Sequence, residues 1–239
     1  MLKPTLTKSW ADMTQQECET FLAARDEYEK QERVKWDSKL LQKIFDENVP
    51  MRYQDADIQT LTPSELSHMP LVKQEKIINL MRLAPDAGYC FFSPSGWSKS
   101  TFLYALYRHA LLNNGINDKL ADLNLHPVVV THAKTLADKI VEWKCDRAGA
   151  PSVTANKIEQ LANRGIKTHL FIDEFEKVKK TEFGKVELYD ILHACYQHKA
   201  QLVIAGNMTK ADLEDNDQYL EGTFRRVEDL TAPYFWEWK

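Results

Sequence analysis

Between Tyr89 and Leu112 the sequence passes from a four-residue apolar run, Tyr89-Cys90-Phe91-Phe92, through a turn of small residues into helical spacing. The turn and the first helical residues read Ser93-Pro94-Ser95-Gly96-Trp97-Ser98-Lys99-Ser100-Thr101. This strand–turn–helix junction constrains the fold more than any other stretch. Backbone N–H groups turned inward at a helix N-terminus make an anion cradle. A lysine at the end of the cradle reaches β- and γ-phosphate oxygens, and the next hydroxyl holds Mg²⁺. Lys99 and Ser100 fill those two places, with Thr101 as a second hydroxyl, while Ser95, Gly96, Trp97 and Ser98 supply the turn. The usual spacing, G-x-x-x-x-G-K-[ST], is altered here. Ser93 and Ser98 stand where the outer glycines would be, and only the internal Gly96 remains. A Cβ at position 98 strains so tight a loop and is expected to weaken nucleotide binding. The competing reading is an ordinary junction whose lysine is a solvated first-turn residue.

Two later strand ends favour the phosphate reading. Thr168-His169-Leu170-Phe171-Ile172 is an apolar run ending in the adjacent carboxylates Asp173 and Glu174, the Walker B pattern. Asp173 is expected to hold Mg²⁺ beside Ser100, and Glu174 to polarise the water that attacks a γ-phosphate. Gln201-Leu202-Val203-Ile204-Ala205-Gly206 ends in the amide of Asn207. In open α/β sheets ligands bind at the carboxyl ends of strands, where all three motifs fall. Near the end of the sequence, Arg226, and Arg225 as second choice, are candidates to stabilise phosphoryl charge from a neighbouring subunit. The alternative for both is a surface ion pair.

Apolar runs at 89–92, 127–131, 169–172 and 202–205 alternate with helical patterns at 100–112, 134–143, 157–163 and 187–198. That alternation implies βαβ units and a mostly parallel sheet flanked by helices. Thr14 to Phe45 is charged, with apolar residues at helical intervals, and reads as one amphipathic helix or as two broken near Lys35 to Ser38. Pro50 stops that pattern. The expected division is therefore a helical arm, 1–48, and an α/β core, 49–239.

With 239 residues, 44% hydrophobic and 28% charged, the chain suits one sizeable domain with an appendage. A net charge of −4 argues against a broad basic face for naked nucleic acid and favours protein partners. Lys177, Lys179, Lys180 and Lys185 could still face DNA as a local patch, or form a solvated loop. Four scattered cysteines without CxxC spacing read as reduced thiols. The first twenty residues lack a signal-peptide core and no run is long enough to span a membrane, so the expectation is a cytoplasmic protein. Tyr234-Phe235-Trp236-Glu237-Trp238 reads as a final strand over the core, with a partner-docking tail as the alternative.

Together these motifs resemble the DnaC/IstB-like branch of AAA+ ATPases, the helicase loaders and transposition helpers. The likeness runs from about Val49 onward. It includes Val49-Pro50-Met51-Arg52-Tyr53-Gln54-Asp55-Ala56 as an entry segment, Val128-Val129-Val130-Thr131-His132-Ala133 as a second strand and helix, Asn207-Met208-Thr209, and Phe224-Arg225-Arg226-Val227. The resemblance implies a P-loop NTPase fold of AAA+ type without a C-terminal lid domain. It implies ATP and Mg²⁺ as cofactors, Asn207 as the sensor of the γ-phosphate or attacking water, and Arg226 as an arginine finger. It further implies assembly with itself as a spiral or ring, an arm that docks on a replicative helicase or transposase, and contact with single- or double-stranded DNA. ATP hydrolysis is expected, weakened by Ser93 and Ser98; a non-hydrolysing scaffold and a small-molecule P-loop kinase are the alternatives.

Overall fold

A computed structural model of the chain describes residues 14–114, 126–146, 149–151, 153–178, 181–215 and 219–237. The chain divides into two compact units between Ile44 and Phe45. In the first, helix α1 (Gln15–Asn48, which runs on into the second) is continuous, with no break at Lys35 to Ser38. Of the two readings the single helix is the one observed, because neither proline nor glycine interrupts residues 15–48.

Among the described residues the second unit is built on five parallel strands: β1 (Tyr89–Phe92), β2 (Val128–His132), β3 (His169–Asp173), β4 (Gln201–Gly206) and β5 (Phe235–Glu237), in the order β2-β3-β4-β1-β5. The described helices are α2 (Leu71–Leu83), α3 (Lys99–Asn114), α4 (Ala133–Asp146), α5 (Ala155–Ala162), α6 (Glu182–Gln197), α7 (Lys210–Glu214) and α8 (Thr223–Thr231). β1, β3 and β4 are buried along their whole length, which is why they read as continuous apolar runs rather than alternating ones. The parallel α/β fold expected from the sequence is the one observed.

Alternate residues of each strand feed two core layers. Cys90, Phe92, Leu170, Ile172, Leu202 and Ile204 pack with Leu136 and Ile140 of α4, Leu188 and Ile191 of α6 and Val227 of α8. On the other face Phe91 meets Phe102 and Phe171 meets Tyr107, both from α3. α3 is apolar on nearly every side because it is covered twice. Its outer surface carries Phe45 on Tyr107 and Tyr53 on Tyr104, while Arg108 donates to the Gln54 carbonyl. The entry segment is thus a strap across α3, and it carries Tyr53 to the carboxyl edge of the sheet.

The last apolar cluster forms the edge strand. Cys90, Phe91 and Phe92 pair with Phe235, Trp236 and Glu237, and Trp236 stacks on Phe91 at 5.5 Å between ring centroids. Trp238 lies outside the described residues. Among the described residues no helix is long and apolar enough to cross a membrane.

Candidate nucleotide site

β4 lies between β1 and β3, so the loop after β1 and the acidic end of β3 flank the end of β4. Phe92 is in register with Gly206, and His132 with Asp173, so four strand ends open on one edge. A cavity of about 340 Å³ sits there. It is lined by Ser95 to Ser100, by Asp173, Glu174 and Asn207, and by Pro50, Arg52, Tyr53, His132 and Glu176. The structure therefore gathers Ser95, Gly96, Trp97, Ser98, Lys99, Ser100, Asp173, Glu174 and Asn207. It leaves Thr101 out of the lining.

The loop keeps its tight form despite the serines. Gly96 has φ +83°, and Ser98 adopts φ +59°, a left-handed conformation that side-chain-bearing residues reach only at a cost of about 1–2 kcal/mol. His68 clasps the loop tip: its N–H donates to the Gly96 carbonyl at 2.8 Å, and its ring would lie 2.8 Å from a Cβ at position 96. A side chain at position 96 would have to displace that ring and adopt a left-handed φ.

Lys99 is 7% exposed. Its ammonium donates to the carbonyls of Ser93 (2.8 Å) and Pro94 (2.7 Å) and to Asn207 Oδ1 (2.9 Å). All three acceptors are neutral oxygens. Burial lowers its pKa to about 8, with Glu176 and then Asp173 opposing that shift through their charge. A buried cation at a helix N-terminus with no directly bonded counter-ion is a hole shaped for an anion.

Ser100 Oγ donates to Asp173 Oδ1 at 3.0 Å. The same carboxylate accepts from the Glu174 N–H at 2.9 Å. Burial, and then the neighbouring Asp173 charge, push the Tyr104 pKa well up, so this hydroxyl stays protonated. A hydroxyl and a carboxylate side by side are hard oxygen donors that suit Mg²⁺ once phosphate oxygens complete the shell. Among the described residues no cluster of three or more His, Cys, Asp or Glu forms a metal site by itself.

Glu174 also has a left-handed backbone, φ +53°. Its carboxylate accepts from Lys177 at 2.6 Å and lies 3.7 Å from His132 Nδ1. Asn207 is held by Glu176, which accepts from its N–H at 2.9 Å and from its Nδ2 at 3.0 Å. Sequence reading missed Glu176 and His132 as site residues. The third carboxylate of an Asp-Glu-Phe-Glu run at a strand end was the one available signal.

Other expected residues fall elsewhere. Arg226 lies over the Tyr196 ring (4.5 Å to its centroid) and 3.6 Å from Asp229, and neither Arg226 nor the exposed Arg225 lines the cavity of its own chain. Of the four candidate lysines of the local patch, two are described, Lys177 and Lys185. Lys185 is buried and paired with Glu182, because α6 begins at Glu182 and draws its stem into the core side of the helix. Lys177 is engaged by Glu174; Lys179 and Lys180 lie outside the described residues. Cys90, Cys145 and Cys195 are free thiols, as expected, and the Cys18 side chain lies outside the described residues.

No family model matches the sequence, and no curated protein matches it either. Solved structures match it in fold. The DnaC helicase loader shares 12% identity at a TM-score of 0.55, over 78% of this chain and 99% of that one. AMPPCP-bound DnaA from Aquifex aeolicus shares 15% at 0.51, over 79% and 50%, and a DNA replication initiation factor 15% at 0.50, over 77% and 49%. The chain spans about half the length of the latter two. The fold is that of the AAA+ P-loop NTPases.

Proposed function

We propose that this AAA+-fold chain binds ATP with Mg²⁺, assembles with copies of itself in the nucleotide-bound state, and acts as a loader or remodeller on a replicative helicase or a transposase, on DNA. The observation that carries the reading is the convergence of Lys99, Ser100, Asp173, Glu174 and Asn207 from three strand ends on one cavity. In this reading Lys99 leaves the Ser93 and Pro94 carbonyls for β- and γ-phosphate oxygens. Ser100 and Asp173 hold Mg²⁺, which would neutralise phosphate charge. Glu174 orients the attacking water, and Asn207 lies beside it. Arg52, Tyr53 and Pro50 form the remaining wall and suit the nucleoside. Arg226, and Arg225 after it, remain for a neighbouring copy, since neither reaches its own cavity. Residues 1–48 serve as the docking arm.

The test is calorimetric titration of ATP with Mg²⁺ into wild type and Lys99→Ala, followed by sizing with and without nucleotide. Saturable binding that disappears in Lys99→Ala, with ATP-dependent oligomers, is expected. Wild-type binding that survives Lys99→Ala defeats the reading.

A second reading, nucleotide as an assembly ligand without turnover, is favoured by one observation. Glu174 is engaged by Lys177 at 2.6 Å and held on a left-handed backbone, so orienting water would require its carboxylate to give up that ion pair. Turnover in the assembled state that vanishes in Glu174→Gln excludes this alternative.

A further inference from the structure

Glu176 belongs to none of the motifs, yet it makes the only bidentate carboxylate contact to Asn207 among the described residues. Oε2 accepts from the Asn207 backbone N–H and Oε1 from its side-chain Nδ2, at 2.9 and 3.0 Å. An ionised carboxylate accepts and cannot donate, so only the NH₂ end of the amide can face it. The opposite end, Oδ1, accepts from Lys99, which can only donate. Both neighbours therefore fix the same orientation: the Asn207 oxygen points into the phosphate cradle and its donor points away.

We infer that Glu176 is a positioning residue that sets the orientation of Asn207, presenting an acceptor to the cradle and so withholding from a γ-phosphate the hydrogen bond an asparagine would otherwise donate. The inference rests on the nucleotide reading above. With Lys99 drawn onto phosphate oxygens, Asn207 Oδ1 is left as an acceptor, able to accept a hydrogen bond from water and repelled by a terminal phosphate oxygen. The site as built thus discriminates against the third phosphate, and the element that orients Asn207 to do so is one carboxylate, Glu176.

Glutamine at 176 reverses the geometry with no change of size. Its oxygen still accepts from the Asn207 N–H, while its NH₂ donates to Asn207 Oδ1 and turns Nδ2 toward the cradle. A charge-assisted hydrogen bond of this kind is worth about tenfold in affinity. Removing a negative charge by itself also favours ATP over ADP, so the variants must be read as a cycle with Asn207→Ala.

The experiment is titration of the full chain with fluorescent ATP and ADP at fixed Mg²⁺, for wild type, E176Q, N207A and E176Q/N207A. Wild type is expected to bind ADP at least as tightly as ATP. E176Q is expected to shift the preference toward ATP by about tenfold, and N207A in the same chain to remove most of that gain, leaving only the part due to charge. A gain that persists in full without Asn207 reduces Glu176 to a mere charge and overturns the inference, as does an equal change for both nucleotides. Wild type that binds neither nucleotide defeats the nucleotide reading and this inference together; binding with the wrong ratio defeats this inference alone.

Discussion

At the scale of single residues, the loop carries its cost in two places, Ser98 and Lys99. The left-handed Ser98 lacks the glycine its φ of +59° calls for. Ser98→Gly is expected to relieve about 1 kcal/mol of backbone strain, offset in part by the greater freedom of glycine in the unfolded chain. A thermal melt of the free protein checks the stability effect, and an ATP titration, expected to be tighter, checks the relief of the loop. Lys99 gives a pH signature. Its pKa is lowered from 10.5 to about 8 in the folded protein. Between those values the unfolded chain holds a proton that the folded one has released, so stability rises with pH across that window. Below about pH 8 both forms are protonated and this dependence vanishes. Denaturant melts at about pH 7.5 and about pH 9.5, on either side of the folded value, are expected to show the rise in wild type and a smaller one in Lys99→Met. Identical slopes count against the buried cation.

At the scale of elements, the site depends on close packing at both ends of the strands. Gly88, just before β1, lies so near α8 that a Cβ there would stand 1.9 Å from the Leu230 carbonyl oxygen. No rotamer escapes a backbone clash. Gly88→Ala is expected to cost about 3 kcal/mol as β1 and α8 separate, read as a fall in denaturant midpoint. The edge strand β5 is only three residues long, and Trp236 is its anchor against Tyr89 and Phe91. Trp236→Ala is expected to remove about 2–3 kcal/mol, less than a fully buried tryptophan because this ring is partly exposed. Retention of wild-type stability would mean that β5 adds nothing to the sheet.

At the scale of the whole molecule, the five strands, both core layers and every residue lining the cavity fall within 45–239. Residues 45–239 expressed alone are therefore expected to melt cooperatively and to bind nucleotide as the full chain does. Loss of the arm is expected to abolish helicase or transposase capture without changing nucleotide affinity. A truncated chain that binds no nucleotide would assign the arm to the site. The inserted strand β4 gives this layout its chemistry. By standing between β1 and β3 it puts Asn207 next to Lys99 and between the loop and the acids.

Local pattern was enough to reveal the sheet strands, the loop lysine and hydroxyl, the acid pair and the strand-end amide. Each is written in consecutive residues: an apolar run buried on both faces, then a polar residue where the strand leaves the core. The continuity of α1 was legible too, since residues 15–48 contain no breaker, and the charged stretch at Lys35 to Ser38 is no substitute for one. What the local text could not carry is which distant side chains meet. Glu176 is an ordinary acid in the sequence, yet β4 beside β3 brings it to Asn207, 31 positions away. Lys185 reads as solvated and is buried by the earlier start of α6. A strand end announces its chemistry through local periodicity, whereas the charge that tunes that chemistry comes from whichever strand the topology places next to it.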